Sequence, residues 1–161
     1  MNFLDAANMN LTIEIDSKHF TLRVAAIILE KNQILMAKHK DYPCYYTIGG
    51  KVQINESTED AIIREIKEET GIDYEIENLS FVQERFFTSN NQEQHEITFY
   101  YKTKENINTK NLMDKYTDQG ENEKLCLLDI SNLSNLNIVP TFFKEMQFNN
   151  IGGLKHIVTR E

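Results

Sequence analysis

The sequence predicts an α/β fold in which a mixed β-sheet carries helices on its faces. Three observations lead there. Short runs rich in apolar and β-branched residues recur at strand length, Phe20 to Leu29 (FTLRVAAIIL) being the clearest. A well-punctuated amphipathic helix lies between Thr58 and Thr70. Polar clusters mark the turns that separate these elements. With 161 residues the chain is read as one domain, 1–161, large enough to bury a substantial core.

Taken in order, Leu11 to Ile15 and Phe20 to Leu29 read as strands. Glu30 to Gln33 is a polar turn, and Ile34 to Lys38 returns as the second arm of a hairpin. After the loop Asp41-Tyr42-Pro43, the run Tyr45 to Ile48 leads into Gly49-Gly50 and then the helix. Tyr74 to Phe87 and Glu96 to Thr103 follow as strands, with Ser89-Asn90-Asn91-Gln92 as the turn between them. Lys104 to Asn122 is a polar segment, a mobile loop or a partly ordered insert, long enough to suspect a functional role. Leu125 to Ile130 is a strand, Pro140 introduces a second helix over Thr141 to Gln147, and Leu154 to Thr159 adds an edge strand. Met9 offers a second start, so residues 1–10 are read as a flexible leader.

The helix and its flanks hold the most informative pattern in the chain. Gly50 to Ile72 reads GKVQINESTEDAIIREIKEETGI. Asn55 or Ser57 supplies the cap, acidic residues fill the first turn, and Gly71 ends the helix. At 3.6 residues per turn Ile62, Ile63, Ile66 and Thr70 share one face, and Glu65, Glu68 and Glu69 share the opposite one. Three like charges at such spacing repel; at about 6 Å and an effective dielectric near 20, each pair costs roughly 3 kcal/mol. Arg64 and Lys67 offset part of this. A hard divalent cation with oxygen ligands offsets the rest, and Mg²⁺, with Mn²⁺ as a substitute, fits a set of carboxylates plus substrate phosphates. A Glu-rich face alone would be an ordinary solvated surface, but Gly49-Gly50 and Gly71 supply close approach and an abrupt turn that such a surface does not need.

This segment resembles the signature of the MutT-like Nudix hydrolases at every specified position: Gly50, Glu56, Arg64-Glu65, Ile66, Glu68-Glu69, Gly71 and Ile72. From average residue usage, chance agreement is on the order of one in a million or less. The resemblance implies a Nudix-type α/β/α sandwich with a mixed β-sheet, and divalent-metal-dependent hydrolysis of a diphosphate linkage in a nucleotide derivative. The substrate so implied is either a modified nucleoside triphosphate or a nucleoside diphosphate joined to another group. Carried over by position, Glu65, Glu68 and Glu69 are cation ligands, with the Gly49 carbonyl as a further one. Arg64 orients a glutamate and Glu56 braces the loop. Glu65 is one candidate base. A later loop acid completes such sites; Glu121 and Glu123 precede the strand at Leu125, and Glu121 is preferred. Ile48 replaces the proline frequent before Gly49-Gly50, with no ligand lost.

Markers of the subgroups are missing: no proline follows Gly71 at the spacing of ADP-ribose hydrolases, and Thr88 stands where dinucleoside polyphosphate hydrolases carry tyrosine. Glu84-Arg85-Phe86-Phe87 with His95-Glu96 is similar to a bacterial subgroup of uncertain substrate. Arg23, Tyr45, Glu84 and His95 are therefore the candidate substrate contacts. Core packing is the competing role for the strand aromatics and His95, and a solvated hairpin surface for Lys38 and His39. A nucleotide-binding module without catalysis is the rival reading, opposed by the complete set of glutamates.

The formal net charge of −8 and the lack of basic runs exclude a nucleic-acid polymer as partner. Two cysteines, Cys44 and Cys126, suit reduced, half-buried thiols and a cytoplasmic protein. No stretch reaches the length of a membrane span, and a homodimer is implied by the resemblance alone.

Overall fold

The computed structural model describes residues 9–161. Of the expected leader, residues 1–8 lie outside the described residues. Met9 and Asn10 are tied down: the Met9 carbonyl accepts from the Ile54 amide at 2.7 Å, and Asn10 bridges to Gln53.

Among the described residues, twelve strands and one α-helix form in chain order: β1 Thr12–Ile15, β2 Lys18–Ile27, β3 Leu29–Glu30, β4 Gln33–His39, β5 Tyr45–Tyr46, β6 Gly49–Lys51, α1 Thr58–Thr70, β7 Ile76–Ser89, β8 Gln92–Thr103, β9 Tyr116–Thr117, β10 Gly120–Asp129, β11 Ile138–Val139 and β12 Lys155–Arg160. They make two sheets. One runs β1-β2-β8-β7-β12, with β6 sharing the β1 edge of β2; the other runs β11-β5-β4-β10-β9, with β3 on β4. The first is mixed, because β2 with β8 and β7 with β12 are parallel whereas β7 with β8 is antiparallel. Asn90 and Asn91 close the β7–β8 hairpin with positive φ at both positions, a conformation that asparagine tolerates well.

Two clusters of buried side chains separate the layers. Under α1, Ala61, Ile62 and Ile66 pack on Val24 and Ala26 of β2, on Ile28 just beyond it, and on Leu35, Ala37, Leu125 and Leu127 of the second sheet. On the other side Ala25, Ile27, Ile34, Met36, Phe81 and Tyr100 meet Leu133, Phe143 and Phe148. The residues of that outer layer sit in short 3₁₀ turns at Ile130–Asn135, Thr141–Glu145 and Phe148–Asn150.

The helix keeps its expected bounds. Ser57 accepts from the Asp60 amide at 3.0 Å, and Gly71, at φ 74°, returns its N–H to the Lys67 carbonyl. Two expectations change, and the segment Lys104 to Asn122 takes the second of its two expected forms. Ile63 is 41% exposed and belongs to the rim of the apolar face, Ala61 taking its place inside. The second helix is the 3₁₀ turn Thr141–Glu145, because Phe143 and Phe148 must both reach one cluster and leave too few residues between to nucleate an α-helix. Lys104 to Asn122 is ordered in part, by a 3₁₀ turn at Thr109–Leu112 and by β9 pairing with β10. Both cysteines are free and half-buried, and no helix among the described residues is long and apolar enough to cross a membrane.

Candidate active site

The acidic face of α1 opens onto a cavity of about 460 Å³ lined by Arg23, His39, Tyr42, Tyr46, Thr47, Gly49, Glu65, Glu68, Glu69, Asp118, Gln119 and Glu123. Two glycines let the helix approach this closely. A Cβ on Gly49, whose φ is +152°, would sit 2.1 Å from the Val24 carbonyl oxygen, since β6 pairs there with β2. A Cβ on Gly50 would lie 2.4 Å from the Glu65 carboxylate, which occupies that space.

Arg64 organises the rim. Its Nε and Nη2 donate to the two oxygens of Glu56 at 2.7 and 3.0 Å, a bidentate pair, while Nη2 also reaches the Lys51 carbonyl at 3.1 Å. Glu56 in turn accepts the Gln53 amide at 3.0 Å, so the loop before α1 is fastened to the helix. The Arg64 contact holds the Glu56 carboxyl below its ordinary range. Nη1 of Arg64 donates to Glu65 at 2.7 Å and to Glu68 at 3.3 Å. Lys67 takes no part in the cavity; it pairs with exposed Asp73 at 2.8 Å.

Electrostatics inside the cavity are unfavourable. Burial pushes Glu65 up despite Arg64. Glu69 is pushed up to about 9, by burial first and then by Glu123, Glu65 and Asp118, against the opposing help of the Gly49 N–H at 3.1 Å. Glu123 is buried between Tyr46 and Thr117, whose hydroxyls donate one to each carboxylate oxygen. Burial and this carboxylate hold the Tyr46 hydroxyl far above its ordinary range, so it remains a donor.

Among the described residues, no three His, Cys, Asp or Glu side chains grip a common point as they stand. The donor set nevertheless suits a hard cation: five carboxylates, Glu65, Glu68, Glu69, Asp118 and Glu123, line one cavity, with Glu69 unable to ionise comfortably on its own.

A second cavity of about 660 Å³ adjoins the first, sharing Arg23, Tyr42, Tyr46, Thr47 and Gly49. Its further lining includes Gln83, Arg85, Phe87, Glu96, Thr98, Tyr100 and Pro140. Gln83 accepts from the Tyr100 hydroxyl at 2.8 Å and donates to Thr159 at 3.0 Å, while Arg85 is held by Glu161 at 2.7 Å.

Against the sequence expectations, the structure brings Gly49, Gly50, Glu56, Arg64, Glu65, Glu68, Glu69 and Arg23 together, with Gly71 closing the helix. Four residues are placed elsewhere. Glu121 is exposed beyond the last β4–β10 pair, His39 with Glu123, and lines neither cavity; Glu123 stands in the acidic wall instead. Tyr45 points away into the second core cluster, with the Lys38 ammonium 4.5 Å from its ring centre, because consecutive strand residues face opposite sides and Tyr46 takes the cavity side. The same alternation turns Glu84 and His95 to the far face of the first sheet. There Glu84 meets His156 at 2.8 Å and His95 stacks on Phe86 at 4.3 Å, leaving Arg85 and Glu96 to line the second cavity. Thr117 and Gln83 carry no local signal; only the folded strands reveal them.

Comparison with known proteins agrees with this architecture. A family model described as the NUDIX domain matches residues 19–145. An ADP-ribose pyrophosphatase of Methanocaldococcus jannaschii is 41% identical over 64 residues, 38% of each chain. A Bacillus subtilis protein provisionally named an 8-oxo-dGTP diphosphatase is 49% identical over 45 residues, 28% of this chain and 30% of its own. The chain thus spans well under half the length of these curated relatives. The crystal structure of a NUDIX hydrolase from Nitrosomonas europaea superposes with a TM-score of 0.58 at 17% identity, covering 88% of this chain and 79% of that one, which speaks for the fold. With the family model matching most of the chain, and the glycine-glutamate loop and helix seated on a mixed sheet as that fold requires, this protein belongs to the Nudix family.

Proposed function

We propose that the protein hydrolyses a diphosphate linkage in a small nucleotide derivative, with a divalent cation, Mg²⁺ or Mn²⁺, held by Glu65, Glu68, Glu69 and Glu123. One observation carries the reading: these four carboxylates share a cavity with Arg23, and that cavity adjoins a second one large enough for a nucleoside. The bound cation would neutralise phosphate charge and make water a stronger acid.

The chain's own residues do the rest. Arg23, at the junction of the two cavities, receives phosphate oxygens with charge-assisted hydrogen bonds. Arg64 and Glu56 hold the loop and aim Glu65, whose carboxylate accepts a proton from the attacking water. Water adds to one phosphorus as the bridging P–O bond breaks, and the leaving phosphate departs with the electron pair. Thr47, Tyr42 and Tyr46 line the passage to the second cavity, where Gln83, Arg85, Glu96 and Tyr100 meet the nucleoside or its linked group.

The curated relatives bear names for two such substrate classes, a nucleoside diphosphate sugar and an oxidised nucleoside triphosphate. The missing proline marker weighs against ADP-ribose itself. The test is hydrolysis, with Mg²⁺, of a panel covering both classes, products being identified by chromatography. Turnover of at least one member that is lost in Glu68→Gln supports the proposal; no release of phosphate, pyrophosphate or nucleotide from any member would sink it.

A further inference from the structure

Glu123 reaches the acidic wall from a strand that belongs to the other sheet, and two hydroxyls hold it there. Tyr46, on β5, donates to Oε2. Thr117, on β9, donates to Oε1 at 2.7 Å, and its own oxygen accepts the Gln119 amide at 3.2 Å. An ionised carboxylate only accepts, so both hydroxyl protons are committed to it, one on each oxygen. The two hydroxyls hold Glu123 in a wall that it shares with Glu65, Glu68, Glu69 and Asp118, where a carboxylate with no such partners would turn out toward water. Hydroxyls suit this task. They fix the carboxylate without bringing a positive charge, which a lysine or arginine would set in competition with a cation.

We infer that Tyr46 and Thr117 are positioning residues that lock Glu123 beside Glu69, keeping the fourth oxygen donor of the cavity preformed for a divalent cation. This rests on the diphosphate-hydrolase reading above. Two donors leave roughly half of the carboxylate's acceptor sites free for that cation. Because the two anchors come from β5 and β9 while Glu123 itself stands on β10, the short strand β9 acquires a purpose beyond pairing: it carries Thr117 to the cavity edge.

The experiment is Mn²⁺ binding to the substrate-free protein, followed by electron paramagnetic resonance, for the unmodified chain, Tyr46→Phe, Thr117→Val and Thr117→Ser. Expected are a roughly tenfold or greater loss of affinity in Tyr46→Phe and Thr117→Val, the size typical of lost outer partners of metal ligands, and recovery in Thr117→Ser. Metal-free melting curves, recorded alongside, separate this from misfolding, because a purely structural role would lower melting temperature and leave the affinity of the folded fraction alone. Equal Mn²⁺ affinity in all four folded proteins would overturn the positioning role alone. Failure of the unmodified chain to bind Mn²⁺ would overturn the cation-site reading, and the positioning role with it.

Discussion

At the scale of single residues, Gly49 and Gly50 are adjacent yet serve different ends. The space of a Gly49 Cβ is filled by the Val24 backbone, which cannot yield, whereas that of a Gly50 Cβ is filled by the end of the Glu65 side chain, which can. Gly49→Ala is therefore expected to destabilise the fold by about 2 kcal/mol or more, the scale of forced overpacking. Gly50→Ala should melt within a few degrees of the unmodified chain but displace Glu65 and lower kcat/KM by about a hundredfold, as misplacement of a reacting group by about 1 Å does. Melting curves and steady-state kinetics on the two variants would separate these effects, and equal activity in Gly50→Ala would remove Glu65 from the chemistry.

Elements differ in how well the sequence announces them. Helix α1 was legible because its cues are local: Ser57, the acidic first turn, the glutamate spacing and Gly71 lie within a few residues of one another. Strand positions were legible too, but not which way their residues face. Tyr45 against Tyr46, Glu84 against Arg85 and His95 against Glu96 are each decided by the side of the sheet on which α1 packs, a tertiary fact that alternation alone does not contain. Glu123 carries no local cue for a similar reason, since its hydroxyl partners come from distant strands. The segment Thr141–Glu145 has apolar spacing compatible with either helix type, and the joint burial of Phe143 and Phe148 selects the tighter one. Its energetic weight can be measured. Phe143, stacked edge-on with Phe142 and Phe148 in the second cluster, should cost about 3–5 kcal/mol when replaced by alanine, while the rim residue Ile63 should cost far less. Urea unfolding of both variants checks this, and comparable losses would place Ile63 inside the core.

For the whole molecule, the cavity concentrates negative charge in a chain that already carries −8, so the fold holds a site that works against its own stability. Glu69 gives this a pH signature. Its carboxyl is raised from 4.5 to about 9, so the folded state holds a proton that the unfolded chain has released. Stability is then unaffected by Glu69 below about pH 4.5 and falls as pH rises toward about 9. A divalent cation bound as proposed would displace that proton, so the rise in melting temperature on adding Mg²⁺ should grow from pH 6 to pH 9. Glu69→Gln should flatten both trends; a Mg²⁺-induced rise independent of pH, and unchanged in that variant, would contradict the account.

The proposed hydrolysis requires this cavity to direct water onto phosphorus. Its most direct measurement is turnover of the best substrate from the nucleotide panel in ¹⁸O-labelled water, with mass analysis of both products, for the unmodified protein and Glu69→Gln. One labelled oxygen on a single phosphate product, and near-complete loss of labelling in the variant, are expected. Label on a sugar carbon, or equal labelling by both proteins, would contradict the proposed hydrolysis.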